Sequence, residues 1–315
     1  MRKRLLRFIA PMPRLGRDGR QWAADVRHVE DLGFSAVAVS EHYSNGWTVD
    51  ALTAMNFAVA STTRLRAMPL VLNNDLHHPA VLAKAMATAD VLSSGRVMLG
   101  LGAGWLGADY EALGVAQDPP GVRIERLDEA LRVIGSFFAD KSVTFEGDHY
   151  RVNEFESLPR PVQSPRPPIL IGGGGPRMLA LAGRHADIVG LHPQLGPDGF
   201  SESSAAGMTR ASLDKKVGVI GSAAADAGRN MPELQFTCYD VNVDGAQLTR
   251  VRPAFSEYIQ AHSDEFADSP LSLRGEVDKC VDDIIRWHEE LGISYWHLGP
   301  DVDAVAPIVA RLGSE

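Results

Sequence analysis

Cysteine is nearly absent from this chain. Its two copies in 315 residues, Cys238 and Cys280, lie far apart and outside any C-x-x-C spacing. That excludes a disulfide framework and a cysteine-built zinc cage, and it fits a reducing interior. Aromatic residues are sparse at 7%, which argues against the aromatic platforms of a sugar-cleaving cleft built on Glu41 and Asp75. No apolar run approaches the ~20 residues that span a bilayer. The basic start Met1-Arg2-Lys3-Arg4 resembles the n-region of a signal peptide, but Arg7 interrupts the following apolar stretch and Pro11 ends it, so a first strand is expected there. A cytoplasmic protein without a membrane partner follows. Blocks of Lys and Arg are missing too: 31 basic residues face 40 acidic ones, for a formal net charge of −9. A nucleic-acid surface needs concentrated positive charge, so the expected partner is a small molecule.

What the chain does contain is ordinary globular composition, 45% apolar and 23% charged, which excludes disorder, collagen-like repeats and coiled coil. Short β-rich runs alternate with helix-period segments from end to end. Strands are expected over 5–12, 34–40, 65–73, 96–102, 168–171, 186–192, 234–243 and 295–298, with helices between them, including 213–228, 248–259 and 302–312. The segment 142–152 reads as a hairpin turning at Gly147-Asp148, and the polar, glycine-rich span 193–212 as a lid or a mobile loop. No compositional linker divides the chain. The expected fold is a single (β/α)8 TIM barrel over 1–315, with insertions after strands four and six. An open doubly wound sheet would place phosphate-binding glycines directly after the first strand, where Pro11-Met12-Pro13 stand instead.

In such a barrel, function collects at the C-terminal strand ends. Those ends carry Glu41-His42, Asn73-Asn74-Asp75, Gly100-Leu101-Gly102-Ala103-Gly104-Trp105, Gly172 to Gly175, His192 and His297. The glycine quartet before Pro176 lets backbone N–H groups approach an anion at a helix start, and a cofactor phosphate is its natural occupant; a bare strand-to-helix turn is the alternative. Gly102 and Gly104 offer bare backbone to a flat ring, or simply fill a barrel corner. His42 and the adjacent Glu41 are the catalytic candidates, with His42 expected to transfer a proton. His42, His192 and His297 share no tight ligand spacing, so no metal is expected. His77-His78, before the helix-starting Pro79, reads as a solvated cap.

Several stretches, taken together and in order, resemble the bacterial-luciferase-like flavin-dependent oxidoreductase superfamily. They are Val39-Ser-Glu-His42, His78-Pro through Ser94-Gly-Arg96, Gly100-Leu-Gly-Ala-Gly-Trp105, Val143-Thr-Phe-Glu-Gly-Asp-His-Tyr150 and Pro167-Pro-Ile-Leu-Ile-Gly-Gly173. Leu72-Asn-Asn-Asp-Leu-His-His-Pro79 and Gly121-Val-Arg123 look most like the branch using coenzyme F-420, an 8-hydroxy-5-deazaflavin. The resemblance implies a luciferase-like barrel, often homodimeric, that binds a reduced flavin or deazaflavin at its mouth. By that resemblance the ring lies over Val71, Leu72 and Asn73, where the family carries a cis non-prolyl peptide, and near Gly102, Ala103 and Gly104. The phosphate site maps onto Gly173, Gly174, Gly175 and Pro176. His42 matches the histidine beside the reactive ring carbon, and Trp47 an aromatic covering the substrate side, with Trp105, His192 and His297 in the substrate pocket.

Two departures bear on the chemistry. Luciferases carry an arginine in the strand-four turn for the FMN phosphate, where this chain has Ala103. Sugar-phosphate dehydrogenases of the deazaflavin branch carry a carboxylate just after that turn, where this chain has Trp105. The expected reaction is hydride transfer between reduced F-420 and a small organic substrate. An FMN-dependent monooxygenase using oxygen and a non-catalytic flavin-binding protein are the alternatives.

Overall fold

Each barrel strand is an apolar run whose alternate residues face two different cores. Phe8, Ala10, Val37, Val39, Leu99, Leu101, Ile169 and Ile171 pack outward against helices, while Ile9, Ala36, Ala38, Met68, Leu170 and Tyr295 fill the barrel interior. A strand buried on both faces reads as a continuous hydrophobic run, which is why these strands are visible in the sequence. The computed structural model describes residues 5–44, 46, 49–196, 199–247 and 253–313.

The eight barrel strands are Arg7–Pro11, Ala36–Val39, Arg66–Pro69, Leu99–Gly102, Ile169–Gly173, Ile188–Leu191, Glu233–Thr237 and Ile293–His297. All pair in parallel, the first lying between the second and the eighth. Closure between the third and fourth strands is made by the Ala67–Val97 bridge and by a short continuation, Leu72–Asn73, paired with Leu101–Gly102. Among the described residues, no helix is long and apolar enough to cross a membrane.

The barrel is thus the expected one, with three local differences. The third strand, expected unbroken over 65–73, stops at Pro69 and resumes at Leu72, with a cis Leu70–Val71 peptide between. The seventh, expected to run to 243, ends at Thr237. There Tyr239 and Asp240 donate their N–H groups to Leu271 O, and Asp240–Val243 joins a separate sheet with Ala246–Gln247 and Ser272–Gly275. The fully buried Asp240 carboxylate anchors that sheet, accepting from Arg274 at 2.6 and 2.7 Å and from Ser272 Oγ at 2.5 Å. An insertion therefore follows strand seven as well as strands four and six. The span 193–212 contains a short helix, Glu202–Ala206, and the helix expected over 248–259 is Pro253–Ala261, residues 248–252 lying outside the described ones.

Buried carboxylates fasten the connections between these elements. Glu30, on the helix Gly19–Asp31, accepts the backbone N–H groups of Thr63, Arg64 and Leu65 at 3.0, 2.5 and 2.8 Å just before the third strand. Burial alone would raise its pKa, but those three bonds outweigh burial and hold it below the ordinary 4.5. A folded pKa below the unfolded one means the stabilisation is complete above about pH 4.5 and is lost as pH falls through the folded value. Glu30→Ala leaves three N–H groups without their acceptor, so chemical denaturation should show a loss of about 2–4 kcal/mol at neutral pH. That deficit should shrink in acid.

Candidate active site

Adjacent residues on an extended strand point to opposite sides, and the tip of strand two uses this. Glu41 turns toward strand three. Its side chain, 2% exposed, accepts Asn73 N–H at 2.7 Å, His77 Nε2 at 2.8 Å and Tyr43 OH at 3.1 Å. His77 is therefore built into this network and is not the solvated cap expected of it, because its partner is remote in sequence. His42 turns the other way and donates from Nδ1 to Asp109 Oδ2 at 2.7 Å. Asp109 Oδ1 in turn accepts Ser44 Oγ at 2.6 Å and Tyr43 N–H at 3.0 Å. Burial pushes the Asp109 pKa up, but the bonds from Ser44, His42 and Tyr43 outweigh it, and the carboxyl sits below its ordinary value. An ionised Asp109 accepting from Nδ1 fixes the orientation of the ring. Trp105 meets the His42 ring edge-on, centroids 5.6 Å apart.

The floor of the mouth is Val71, and the glycines around it are there because nothing larger fits. A Cβ on Gly102 would stand 2.8 Å from Val71 Cγ2; one on Gly172 would stand 3.2 Å from Val71 Cγ1 and 3.3 Å from His192 Cδ2. Leu72 lies buried behind the floor. Asn73 Oδ1 accepts Asp75 N–H at 3.1 Å and Tyr110 OH at 3.3 Å. Gly104, at φ +73°, approaches Tyr110 OH so closely that a Cβ would lie 2.1 Å from it. Buried Arg123 holds this turn from behind, donating to Ala103 O at 3.1 Å and also to Gly104 O.

The third wall is the glycine quartet. Gly175 caps the helix Pro176–His185, with Pro176 at its first turn. A Cβ on Gly173 would fall 2.3 Å from Met178 Cγ, and one on Gly174 2.5 Å from His192 O and 2.6 Å from Gln194 N. From there the chain reaches Gly199, packed on Trp105, and Phe200, whose ring lies 5.2 Å from Tyr239. The part of 193–212 beside the quartet thus leads across to the strand-four side of the mouth. His192 Nδ1 lies 3.0 Å from Tyr239 OH.

Burial pushes His192 down to about 4, with the charges of Lys216 and His297 adding to it, and burial pushes His297 down to about 4 as well. Both rings are neutral at neutral pH. For each, the unfolded chain takes up a proton near pH 6.5 that the folded chain refuses, so stability is full above about 6.5 and declines as pH falls toward about 4. The thermal midpoint should drop between about pH 6.5 and 5, above the range where ordinary carboxylates titrate. His192→Gln should flatten that slope; an unchanged slope would contradict the neutral-imidazole account.

The structure therefore gathers His42, Val71, Gly102, Gly104, Trp105, Gly173, Gly174, Gly175 and His192 at one end of the barrel, while Trp47 lies outside the described residues. Sequence reasoning missed Asp109 and Lys216. Asp109 carries only the weak signal of an acid in the first turn of the helix Gly107–Leu113, and nothing local pairs it with a histidine 67 positions away.

The C-terminal end of the barrel thus joins the Val71 floor, a glycine-rich turn at a helix start and a carboxylate-held histidine, at the place where barrels of this kind carry their sites. The chain belongs to the luciferase-like monooxygenase family, whose profile matches residues 6–236. It is 30% identical over 222 residues to an F420-dependent glucose-6-phosphate dehydrogenase of Kineococcus radiotolerans, covering 66% of this chain and 65% of that protein. It is 27% identical over 162 residues to an FMNH(2)-dependent dimethylsulfone monooxygenase of Pseudomonas putida, covering 50% and 44%. The matches thus span between about half and two-thirds of those relatives' lengths. Among solved structures, a coenzyme F420 dependent tetrahydromethanopterin reductase from Methanopyrus kandleri superposes with a TM-score of 0.71 at 20% identity over 98% of each chain, a likeness of fold.

Proposed function

We propose that this protein is a deazaflavin-dependent oxidoreductase that moves a hydride between coenzyme F-420 and a small organic substrate. The observation that carries the reading is the convergence on one end of the barrel of the Asp109-held His42 and the quartet Gly172 to Gly175, with Val71 packed against Gly172. The residues present are of the kind such a cofactor uses: no side chain projects from Gly102, Gly104 or Gly172 to Gly175, and Pro176 opens a helix whose N-terminus favours an anion. Val71, Asn73, Gly102, Ala103 and Gly104 would take the ring, and Gly173, Gly174, Gly175 and the helix start at Pro176 the phosphate.

When bound, a deazaflavin supplies a hydride donor and acceptor that does not readily activate oxygen. His42 Nε2 moves the proton that accompanies the hydride. Asp109 holds the ring in place through its bond to Nδ1. Glu41 is a positioning residue, fixing the bend that presents Val71. Trp105, with Phe200 and Tyr239 packed nearby, gives the mouth an aromatic wall suited to a compact, largely apolar substrate, and the neutral His192 and His297 add hydrogen-bonding capacity without charge. We propose that 1–315 works as one unit and assembles as a homodimer.

The FMNH(2)-dependent relative favours FMN chemistry as the second reading. Spectroscopic titration of the purified protein with F-420 and with FMN tests the choice. F-420 should bind at micromolar levels and more tightly than FMN. Micromolar FMN binding without F-420 binding, together with oxygen uptake when reduced FMN is supplied, would move the assignment to the monooxygenase.

A further inference from the structure

Lys216, on the helix Arg210–Asp226, is a buried lysine facing backbone rather than an acid. Its Nζ donates to Gly174 O at 2.7 Å and to His192 O at 3.2 Å. Among the described residues, no carboxylate lies within ion-pair distance of it. Burying an ammonium without an opposite charge is costly, and burial pushes its pKa down to about 8, which leaves it mostly protonated at neutral pH. The two carbonyls it grips belong to the two loops that frame the glycine cradle. In a trans peptide the C=O and the next N–H point in opposite directions, so with Gly174 O drawn to Lys216 the Gly175 N–H faces away from it. Pro176 has no N–H, which makes the Gly175 donor the first one the helix start can offer.

We propose that Lys216 is a positioning residue for the cofactor's phosphate: it locks the Gly174–Gly175 peptide with its N–H presented to the ligand, and its positive charge behind that peptide adds a favourable field for the phosphate monoester or diester that docks there. This rests on the cradle reading given under Proposed function. The shared chemistry is a phosphate on a ring-bearing tail, whether of F-420 or of FMN.

The test compares dissociation constants for F-420 and its phosphate-free head, 8-hydroxy-5-deazariboflavin, and for FMN and riboflavin. Wild type, Lys216→Met and Lys216→Gln are titrated by fluorescence, with circular dichroism and thermal melting as the check on folding. Wild type should prefer the phosphate-bearing member of the pair that it binds. Lys216→Met should reduce that preference by about 10-fold or more while leaving the phosphate-free head unaffected. Lys216→Gln keeps N–H donors for the two carbonyls without the charge, so it should restore thermal stability and recover only part of the preference. Folded variants that keep the full wild-type preference, or that weaken both ligand types equally, overturn the assignment of Lys216. A wild-type protein without any preference overturns the cradle reading itself, and this inference with it.

Discussion

His42→Ala is expected to lower turnover by about 10²–10⁴-fold, the usual contribution of a positioned proton donor or acceptor. Cofactor affinity should change little, because the floor and the cradle stay intact. Asp109→Ala should also cut turnover, since the ring loses its Nδ1 partner, and it should cost stability because Ser44 Oγ and Tyr43 N–H lose their shared acceptor. A steady-state assay separating kcat from KM, with binding measured independently, distinguishes the two effects. If His42→Ala retained wild-type turnover, proton transfer would have to be assigned elsewhere.

Gly174→Ala is the second large effect. The added methyl would meet only backbone: His192 O at 2.5 Å, Gln194 N at 2.6 Å and Pro193 C at 2.6 Å. No side chain can swing aside, so the loops after strands five and six must part, at a cost of about 1–3 kcal/mol or more. Because the same loops frame the cradle, affinity for a phosphate-bearing ligand should fall by at least about 10-fold. Gly175→Ala is the matched control. Its nearest neighbours are the Gln194 side-chain atoms at 3.5 Å, and its φ of −84° suits any residue, so its stability should be close to wild type. Calorimetry on the two variants gives the comparison.

The sequence exposed the features whose causes are local. Runs such as Phe34 to Ser40 are apolar on both faces because both faces are buried, and the glycine quartet is visible because Gly173 and Gly174 pack too closely on Met178 and on the loop after strand six to admit a side chain. What stayed hidden depends on distant partners. The seventh strand loses its barrel pairing after Thr237 through Leu271 O and Arg274, although apolar residues recur to Val243 and only a change of phase between Cys238 and Val241 marks the break. His77 looks like a helix cap until Glu41 is brought beside it. Glu41 attracts notice by standing next to His42, yet strand alternation sends the two side chains to opposite sides, one into the strand-three bend and the other to Asp109. Asp109 and Lys216 are ordinary charged helix residues until the barrel closes.

The central claim is that one ligand reaches from the histidine-bearing tip of strand two to the glycine quartet of strand five. A crystal structure of the protein soaked with F-420 tests it most directly. The account predicts the deazaflavin ring against Val71 with its reactive carbon toward His42, and the phosphate within hydrogen-bond distance of the Gly173 to Gly175 backbone. A phosphate bound away from that backbone, or a ring seated on the far side of the barrel from His42, would contradict it.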